Sequence, residues 1–305
     1  MSRVEDPRQL PVIQPGQGVT RTPLFEKIGI IGLGLIGGSI ALAARQTWPT
    51  GLVVAVDTKD VLEKAMVLHA LDVASDDAVV LAEVELVVLA APVRQNLKLL
   101  ETLPAYVTGA AVVTDTGSTK REMVEAAKTL PPRFAFVGGH PLGGAARGGI
   151  EHARADLFVG RPWLFTPEAT SSRAALDKLF EFARSLGARP QTLTAREHDH
   201  LLAYISHLPQ IASTALMHVV GEVAGHEGLA LTGRGLQDTT RLASSSASIW
   251  RDVCASNADE IGQALDALIK VLAELRGSLQ ETDPIEEIFL SANRWRDDLQ
   301  NTKPH

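Results

Sequence analysis

The segment KIGIIGLGLIGGSIALAAR, residues 27–45, restricts the fold of this chain more than any other. A short apolar run ends directly at Gly32-Leu33-Gly34-Leu35-Ile36-Gly37, and an alanine- and leucine-rich segment follows. In a G-x-G-x-x-G turn the first glycine permits a tight bend, the second lets a pyrophosphate touch the backbone, and the third lets the helix pack on the strand. The segment therefore predicts a strand, a dinucleotide-binding turn and a helix whose free N–H groups face the phosphates.

A second apolar run, LVVAVD, ends at Asp57, 20 residues after Gly37. An acidic residue at this point accepts hydrogen bonds from the adenosine ribose hydroxyls and repels a 2′-phosphate, so we expect NAD as the cofactor rather than NADP. The residues expected to bind it are Gly32, Gly34, Leu35, Ile36, Gly37, Asp57, Ala91, Pro92 and Thr116.

Further short apolar runs alternate with helical segments, in the order VELVVLAAPV, GAAVVTDTGSTK, FAFVGGHP, RPWLFTP and ARPQTL. This alternation predicts an α/β Rossmann domain over residues 24–193, with a doubly wound, mostly parallel sheet that ends in the last two runs. Ligands of such sheets bind beyond the carboxyl ends of the strands. Ser118 and His140 each follow a run directly, so we expect both at that edge, beside the nicotinamide.

His140 lies in the segment GGHPLGGAARGG, in which half of the residues are glycine. Glycine-rich backbone lets a ligand approach closely, and a neutral imidazole accepts a proton near neutral pH. These properties favour a catalytic base over the alternative, a loop histidine that is hydrogen-bonded to the backbone.

The composition limits the class of protein further. With 305 residues the chain is long enough for two domains, and residues 1–23, which mix charges, prolines and glycines, are expected to form a flexible arm. No apolar run in this arm is long enough for a signal peptide or a membrane span. The net charge of −7 argues against nucleic acid or an anionic membrane as the main partner, and the single cysteine, Cys254, favours the cytoplasm.

From about Thr194 the apolar residues recur every three or four positions, which predicts an all-α domain over residues 194–305. We expect Pro209 to kink the first long helix or to lie in its first turn. Asn257 and Glu260 are expected to cap the next helix, and PIEEIFLSANRWRDDLQ to form the last. The stripe of the first helix, expected to be buried, is Leu201, Tyr204, Leu208, Ile211, Ala215 and Val219. The stripe of the next, whose length suits packing between two subunits of a homodimer, is Ile261, Leu265, Leu268, Leu272, Leu275 and Leu279.

Two polar clusters occur in this second domain. The segment AREHDHLLAYISHLPQ carries His198, Asp199, His200 and His207, whose side chains are of the types that bind zinc. His198 and His200 point in different directions on a helix and no second cluster follows, so we assign no metal. The segment GRGLQDTTRLASSSASIWRDV carries Arg241, whose guanidinium suits a carboxylate ligand if it is not simply solvated.

Six motifs in order resemble the prephenate and arogenate dehydrogenase family of tyrosine biosynthesis: GLGLIGGS, APV, TDTGSTK, GGHPLGG, SHLPQ and DTTRLASSSASIWRDV. The resemblance covers about Lys27 to Arg276 and implies a Rossmann domain followed by a helical dimerisation domain. It also implies NAD-dependent oxidation and decarboxylation of a 4-hydroxycyclohexadiene carboxylate. The catalytic residues that it implies are His140 and Ser118, and the substrate-binding residues are Arg241, His207, Asp238 and Trp250.

Several alternatives stay open at this point. Residues 145–147 and Gln237 differ from several relatives where the substrate side chain is recognised, which leaves prephenate, arogenate and 4-amino-4-deoxyprephenate as candidate substrates. A β-hydroxyacid or 6-phosphogluconate-type dehydrogenase shares the architecture but relies on a lysine early in the second domain, and no lysine occurs between Lys178 and Lys270. A non-catalytic NADH sensor would bind the cofactor without turnover.

Overall fold

The computed structural model describes residues 22–144 and 148–301, so the arm expected over residues 1–23 lies almost entirely outside the described residues. The strands are β1 Lys27–Ile31, β2 Leu52–Val56, β3 Val73–Ser75, β4 Leu86–Leu89, β5 Ala111–Asp115, β6 Phe134–Phe136, β7 Gly138–Pro141, β8 Pro162–Thr166 and β9 Arg189–Thr192. The first helices are α1 Leu35–Thr47, α2 Lys59–Val67, α3 Val93–Tyr106, α4 Arg121–Ala127 and α5 Arg173–Ser185. The later helices are α6 Ala195–Leu202, α7 Leu208–Leu229, α8 Arg234–Thr239, α9 Ala247–Ser256, α10 Ala258–Gly277 and α11 Thr282–Asn301.

The main sheet has six parallel strands in the order β3-β2-β1-β4-β5-β6. Both faces of the central strands are buried: Ile28 and Ile30 belong to one apolar cluster with residues of α1 and α5, and Ile31 belongs to a second cluster with residues of α3. Continuous apolar strands covered on two faces are typical of doubly wound folds. The predicted α/β Rossmann fold is confirmed.

The last three strands form a separate sheet, in which β8 pairs antiparallel with β7 and parallel with β9. The expectation that RPWLFTP and ARPQTL extend the main sheet is wrong, and FAFVGGHP forms two strands instead of one. The N–H of Val137 still bonds Val113 of the main sheet (2.9 Å), and β7 starts at the next residue. A Cβ on Gly139 would lie 2.7 Å from the carbonyl oxygen of Asp115, so glycine permits the chain to cross the end of β5.

The helical part begins with a capping box at Thr194 and Glu197, which starts α6. A π-helical turn over Ala203–His207 joins α6 to α7, and Pro209 lies in the first turn of α7. Proline lacks an N–H group and clashes with the preceding turn of a regular helix, which explains its place directly after the π turn. Of the two outcomes expected for Pro209, the first-turn position is the one observed. No helix of the described residues is long and apolar enough to cross a membrane.

The side of the first long helix that is buried differs from the prediction. Leu201 is 42% exposed and Val219 58% exposed, whereas Gln210 and Ser213 are buried and bond the carbonyl oxygens of Leu242 and Thr239. The interpretation of the apolar stripe as one buried face within the chain is therefore wrong for most of its length, although Leu208 and Ile211 pack against the cluster that contains Ile261. The polar groups of the helix face inward where they find partners, and the two ends of the stripe stay exposed.

The predicted cap of α10 is also wrong in its details. Asn257 precedes α10, but its side chain makes no capping hydrogen bond. Its amide instead donates to the carbonyl oxygen of Asp199 (2.8 Å) and accepts from Arg121 (2.8 Å). Along α10, Ile261 is buried while Leu272 is 54% exposed, so this stripe too is only partly covered within one chain.

Candidate active site

A cavity of about 1250 Å³ lies at the carboxyl ends of the main-sheet strands, where the strand order reverses between β1 and β4, and residues of α9 line its opposite wall. Its volume exceeds the range of roughly 300–1,000 Å³ that is usual for single-ligand sites, which suits a dinucleotide and a second molecule together. The predicted residues that line it are Gly32, Gly34, Leu35, Ile36, Asp57, Ala91, Pro92, Thr116, Ser118, His140 and Trp250.

The turn between β1 and α1 has the backbone that its glycines predict. Gly32 has a φ of 96°, which L side chains rarely adopt, and a Cβ there would lie 2.6 Å from the backbone nitrogen of Ala91. Gly37 lies behind the turn, and a Cβ on it would lie 1.9 Å from the carbonyl oxygen of Gly32. The absence of side chains at these two positions allows α1 to start close against the sheet.

The cavity side of this turn fits a dinucleotide. A Cβ on Gly34 would meet no atom within 4 Å, so the backbone here is open to a ligand in the cavity. The first-turn N–H groups of α1 have no acceptor within the helix, which suits a pyrophosphate. Each carboxylate oxygen of Asp57 accepts one backbone N–H, from Leu33 and from Thr58 (both 2.6 Å), which leaves a lone pair on each oxygen for ribose hydroxyls.

His140 lies within β7 opposite Leu164, so the expectation that it directly follows a strand of the main sheet is wrong, although it lines the same cavity as Ser118. It is half-buried, and its Nδ1 lies 2.9 Å from Nε2 of His198. Burial, and then the neighbouring His198, Lys120 and His207, lower the pKa of His140 well below its ordinary value of 6.5. The imidazole is therefore neutral at pH 7 and able to accept a proton.

Behind His140 lie two fully buried side chains of α6. Nδ1 of His198 lies 2.8 Å from Oδ1 of Asp199, and burial lowers the pKa of His198 although Asp199 opposes the shift. Burial alone would raise the pKa of Asp199, but hydrogen bonds from His198 and from the backbone N–H groups of Arg121 and Lys120 hold it below its ordinary value. The three groups His140, His198 and Asp199 thus form one hydrogen-bonded row.

A buried ion pair between Lys120 and Asp115 connects the loop after β5 to β7. The Lys120 ammonium also donates to the carbonyl oxygen of Gly139 (2.8 Å), and Asp115 accepts from the N–H groups of Gly117 (2.8 Å) and Gly139 (3.1 Å). Burial lowers the pKa of Lys120, and the charge of Asp115 opposes that shift. The contacts fix the loop that carries Ser118 relative to the strand that carries His140.

The same loop is held against the helical part of the chain. The Thr119 hydroxyl lies 2.8 Å from the Ser256 hydroxyl, and the Lys120 N–H donates to Asp199 (2.7 Å). Arg121 makes two hydrogen bonds to Asp259, one of them 2.7 Å long, and these raise its pKa. The position of Ser118 therefore depends on both parts of the chain.

His207 and Trp250 lie together on the helical side. The His207 ring meets Trp250 edge-on with 5.8 Å between centroids, and Trp250 lines the cavity while His207 does not. His207 is fully buried, its Nε2 has no hydrogen-bond partner among the described residues, and burial lowers its pKa to about 4. His207 thus places a neutral imidazole, whose Nε2 is unpartnered among the described residues, against a side chain that lines the cavity.

Arg241 and Asp238 are exposed, and neither lines the cavity that the described residues form. Arg241 begins a 3₁₀ turn that ends at Ser244, and the residues 244–246 do line the cavity. Residues 145–147, at which the sequence departs from several relatives, lie outside the described residues.

The histidine cluster considered for a metal is not brought together. His198 is buried against Asp199, whereas the side chain of His200 is 57% exposed and bonds Glu260 (2.8 Å). In the described ranges no group of three or more histidine, cysteine, aspartate or glutamate side chains is placed to hold a metal ion.

Sequence reasoning gave no role in this site to four of its groups, Asp115, Lys120, His198 and Asp199, although His198 and Asp199 were considered as metal ligands. The one available signal was the presence of charged residues in segments that otherwise read as buried, as in TDTGSTK directly after an apolar strand. A charge that is buried needs a partner, so such residues predict a buried ion pair even where the partner is unknown.

Comparison with known families gives two matches. Residues 40–192 match the model described as prephenate dehydrogenase, nucleotide-binding domain, and residues 194–290 match the model described as prephenate dehydrogenase, dimerization domain. The chain is 33% identical over 284 residues to the prephenate dehydrogenase of Bacillus subtilis (strain 168). The aligned region covers 90% of this chain and 76% of that protein.

Two solved structures are similar over most of their length. Prephenate dehydrogenase from A. aeolicus, in complex with hydroxyphenyl propionate and NAD+, has 25% identity and a TM-score of 0.83, with 89% of this chain and 98% of that chain covered. Synechocystis arogenate dehydrogenase has 30% identity and a TM-score of 0.75, with 90% and 99% covered. Both similarities include the sheets and the helices that follow them.

Proposed function

This chain belongs to the prephenate dehydrogenase family, and from that membership we propose that it converts prephenate to 4-hydroxyphenylpyruvate by NAD-dependent oxidative decarboxylation. The predicted family is confirmed, and the chain is an oxidoreductase. The observation that carries the proposal is the place of His140, a neutral imidazole in the wall of the cavity that also contains the dinucleotide-binding turn.

The residues that we propose to bind NAD are Gly32, Gly34, Leu35, Ile36, Gly37, Asp57, Ala91, Pro92 and Thr116. The open backbone at Gly34 supports a pyrophosphate next to the first turn of α1, and the free lone pairs of Asp57 support the adenosine ribose. Gly37 contributes indirectly by letting α1 pack against the turn. Bound NAD+ supplies the hydride acceptor for the oxidation.

His140 is proposed to accept the proton of the substrate's C4 hydroxyl and later to return it. The substrate loses a hydride from C4, the proton of its C4 hydroxyl and the ring carboxylate as CO2, and we assign the hydroxyl proton to Nε2 of His140. The electron pair of the broken C–C bond enters the ring, which becomes aromatic and leaves a phenolate oxygen at C4. His140 returns the proton to that oxygen, so the products are 4-hydroxyphenylpyruvate, CO2 and NADH with no net release of a proton.

Ser118 is proposed to orient the C4 hydroxyl toward His140. It lines the cavity, and its loop is fixed on one side by Lys120 at Gly139 and on the other by Thr119 at Ser256. Holding the reacting groups in a near-attack arrangement lowers the barrier by removing orientational freedom before the reaction.

Arg241, His207, Asp238 and Trp250 are proposed to bind the substrate on the helical side. Trp250 lines the cavity, and the unpartnered Nε2 of His207 lies behind it. Arg241 is exposed, but the turn that it begins continues into the cavity wall, which supports a role in binding a substrate carboxylate. We expect Arg241→Gln to raise KM for the substrate more than it lowers kcat, and an unchanged KM would remove Arg241 from the site.

Arogenate is the second candidate substrate. The observation that favours it is the 30% identity to the Synechocystis arogenate dehydrogenase over 90% of this chain. An enzyme that accepted both substrates would fit the same site, because both carry the C4 hydroxyl and the ring carboxylate and differ only in the side chain.

We propose a homodimer that forms through residues 194–305 and a Rossmann domain over residues 24–193. The end of β9 at Thr192 and the start of α6 at Ala195 support this division. The exposed apolar residues of α7 and α10 support the dimer. Residues 194–290 also match the family model of the dimerization domain. We place the protein in the cytoplasm because Cys254 is its only cysteine.

The decisive experiment is a steady-state comparison of prephenate and arogenate, each with NAD+ and with NADP+, followed by the absorbance of the reduced cofactor. We expect turnover of prephenate with NAD+. His140→Asn should lower kcat by about 10²–10⁴-fold, the usual contribution of a general base, and leave NADH affinity within a few-fold. A wild-type protein that binds NADH and turns over neither substrate would be the non-catalytic sensor.

A further inference from the structure

We propose that His198 and Asp199 are positioning residues that hold His140 as the tautomer with its proton on Nδ1, so that the lone pair of Nε2 faces the cavity. The inference rests on the proposed function, because it concerns the base assigned there. Neither residue was assigned a role by the motifs, and neither lines the cavity.

The geometry is a row of three groups joined by two hydrogen bonds. Nδ1 of His140 lies 2.9 Å from Nε2 of His198, and Nδ1 of His198 lies 2.8 Å from Oδ1 of Asp199. His198 and Asp199 are fully buried. Water therefore does not compete for these hydrogen bonds, and each atom of the row must be satisfied by its neighbour.

Asp199 sets the direction of the row. Its two oxygens accept the backbone N–H groups of Lys120 (2.7 Å) and Arg121 (2.9 Å), and the Arg121 side chain donates to it as well (3.3 Å). A carboxyl group surrounded by donors is stable as the carboxylate, which only accepts hydrogen bonds. The proton between His198 and Asp199 therefore belongs to Nδ1 of His198.

The tautomer of His140 follows from that assignment. A neutral His198 with its proton on Nδ1 has a lone pair on Nε2, so His140 must donate from Nδ1. The opposite tautomer of His140 would place two lone pairs 2.9 Å apart. A doubly protonated His198 would avoid that contact, but it would place a second buried cation near the buried Lys120 ammonium, and both burial and Lys120 lower the pKa of His198. The arrangement with the free lone pair of His140 on Nε2 is the one that satisfies all three groups.

The row matters to the reaction in two ways. It aims the basic nitrogen of His140 at the cavity, and it fixes the plane of the ring by a hydrogen bond on the opposite side. When Nε2 takes the substrate proton, the resulting imidazolium keeps its Nδ1–H bond to His198, and the Asp199 carboxylate lies next in line. The carboxylate stays ionised and stabilises the positive charge.

The test reads the tautomer directly. Nitrogen-15 NMR of histidine-labelled protein distinguishes a protonated from an unprotonated ring nitrogen, and the difference from a His140→Asn sample assigns the His140 signals. We expect wild-type His140 at pH 7 to carry its proton on Nδ1 and a lone pair on Nε2. The measurement needs no substrate, and the tautomer is read from the wild-type protein, with His140→Asn used only to assign the signals.

Kinetics of two matched variants complete the test. His198→Phe keeps a flat ring but offers no hydrogen bond, and we expect it to lose the single tautomer of His140 and to lower kcat by up to the ~10²–10⁴-fold that a general base contributes, with KM for NAD+ unchanged. His198→Gln, whose amide can accept from His140 and donate to Asp199, should retain the Nδ1–H tautomer and more of kcat. His200→Phe is the control, because His200 lies on the same helix, is hydrogen-bonded to Glu260, meets the Tyr204 ring edge-on and does not line the cavity.

Two results would overturn the inference: a wild-type His140 with its proton on Nε2, or a His198→Phe variant whose kcat stays within a few-fold of the wild type. Failure of the proposed function would look different. It would appear as a wild-type protein that reduces no NAD+ with prephenate or arogenate, whatever tautomer the spectrum reports.

Discussion

The two glycines at the start of α1 give the sharpest prediction, because alanine at each should affect a different property. A Cβ on Gly34 meets no atom and faces the cavity, and the φ of −69° and ψ of −160° at this residue suit alanine as well. A Cβ on Gly37 would lie 1.9 Å from the carbonyl oxygen of Gly32. Gly34→Ala should therefore impair cofactor binding alone, whereas Gly37→Ala should impair folding and binding together.

The expected magnitudes follow from these contacts. Ordinary contact begins near 3.4 Å, so Gly37→Ala requires a shift of about 1.5 Å in α1 or in the backbone of Gly32. Overpacking of this kind costs about 1–3 kcal/mol, which lowers Tm by roughly 2–12 °C at about 2–4 °C per kcal/mol for a domain of this size. Gly34→Ala should leave Tm unchanged or raise it slightly, because such a substitution adds at most about 1 kcal/mol to the free energy of unfolding. It should weaken NADH binding about tenfold or more, because the methyl group keeps the pyrophosphate off the backbone.

The assay combines two measurements on cofactor-free protein: calorimetric unfolding and titration with NADH followed by fluorescence. Wild type and the two variants are compared under the same buffer and protein concentration. A Gly37→Ala variant that melts with the wild type would refute the steric reasoning. A Gly34→Ala variant that binds NADH as tightly as the wild type would refute the placement of the pyrophosphate.

Three further predictions concern titratable groups. The acid limb of the pH profile of kcat/KM should lie below pH 6.5, because burial first, and then nearby positive charge, lower the pKa of His140; a limb at 6.5 or above would contradict this. Asp57→Ser should raise kcat/KM with NADP+ relative to NAD+, since it removes the carboxylate that repels a 2′-phosphate, and an unchanged ratio would exclude Asp57 from the ribose site. His207→Gln should flatten the dependence of unfolding free energy on pH. Buried His207 has a pKa of about 4 when folded and 6.5 when unfolded, so the unfolded chain takes up the proton first and wild-type stability falls by about 3 kcal/mol as the pH drops from 6.5 to 4. Urea denaturation at several pH values measures the unfolding free energy. If it changed with pH equally for the wild type and the variant, the prediction would be contradicted.

The parts of the fold that could be predicted depend on residues close together in sequence. The turn from Gly32 to Gly37 needs its own glycines and the apolar runs on either side, and Asp57 follows the very next strand. Alternating apolar runs and helical segments then specify a parallel sheet almost by themselves, because crossover connections allow few other arrangements.

The second sheet could not be predicted, because it depends on one contact between distant residues. The run FAFVGGHP starts with four apolar residues, and its Gly-Gly pair suits a loop at the end of a strand as well as a division into two strands. What divides it is the passage of Gly139 over the carbonyl oxygen of Asp115, and sequence alone does not reveal which strand end lies beneath. The place of His140 shifts with that division.

The hydrogen-bonded row behind His140 could not be predicted from the sequence for a similar reason. His198 is 58 residues from His140, and the two meet because α6 packs against α4 and against β8, the neighbour of β7 in the second sheet. Periodicity located an apolar face on the long helix but assigned it to the core of the chain. Only Leu208 and Ile211 of that face pack against a cluster within the chain, and the side with polar groups such as Gln210 is buried as well because those groups find partners.

Because of the π-helical turn at Ala203–His207, the orientation of the later side chains of this helix depends on the exact number of residues in it. Each residue of a regular helix advances the side chains by about 100°, so a chain one residue shorter here would run on without the wide turn and carry every later side chain around the axis by that angle. Because α9 is held to the loop after β5 by the contact between Ser256 and Thr119, His207 would then turn away from Trp250. A deletion that keeps every named side chain would thus still disturb the substrate side of the cleft.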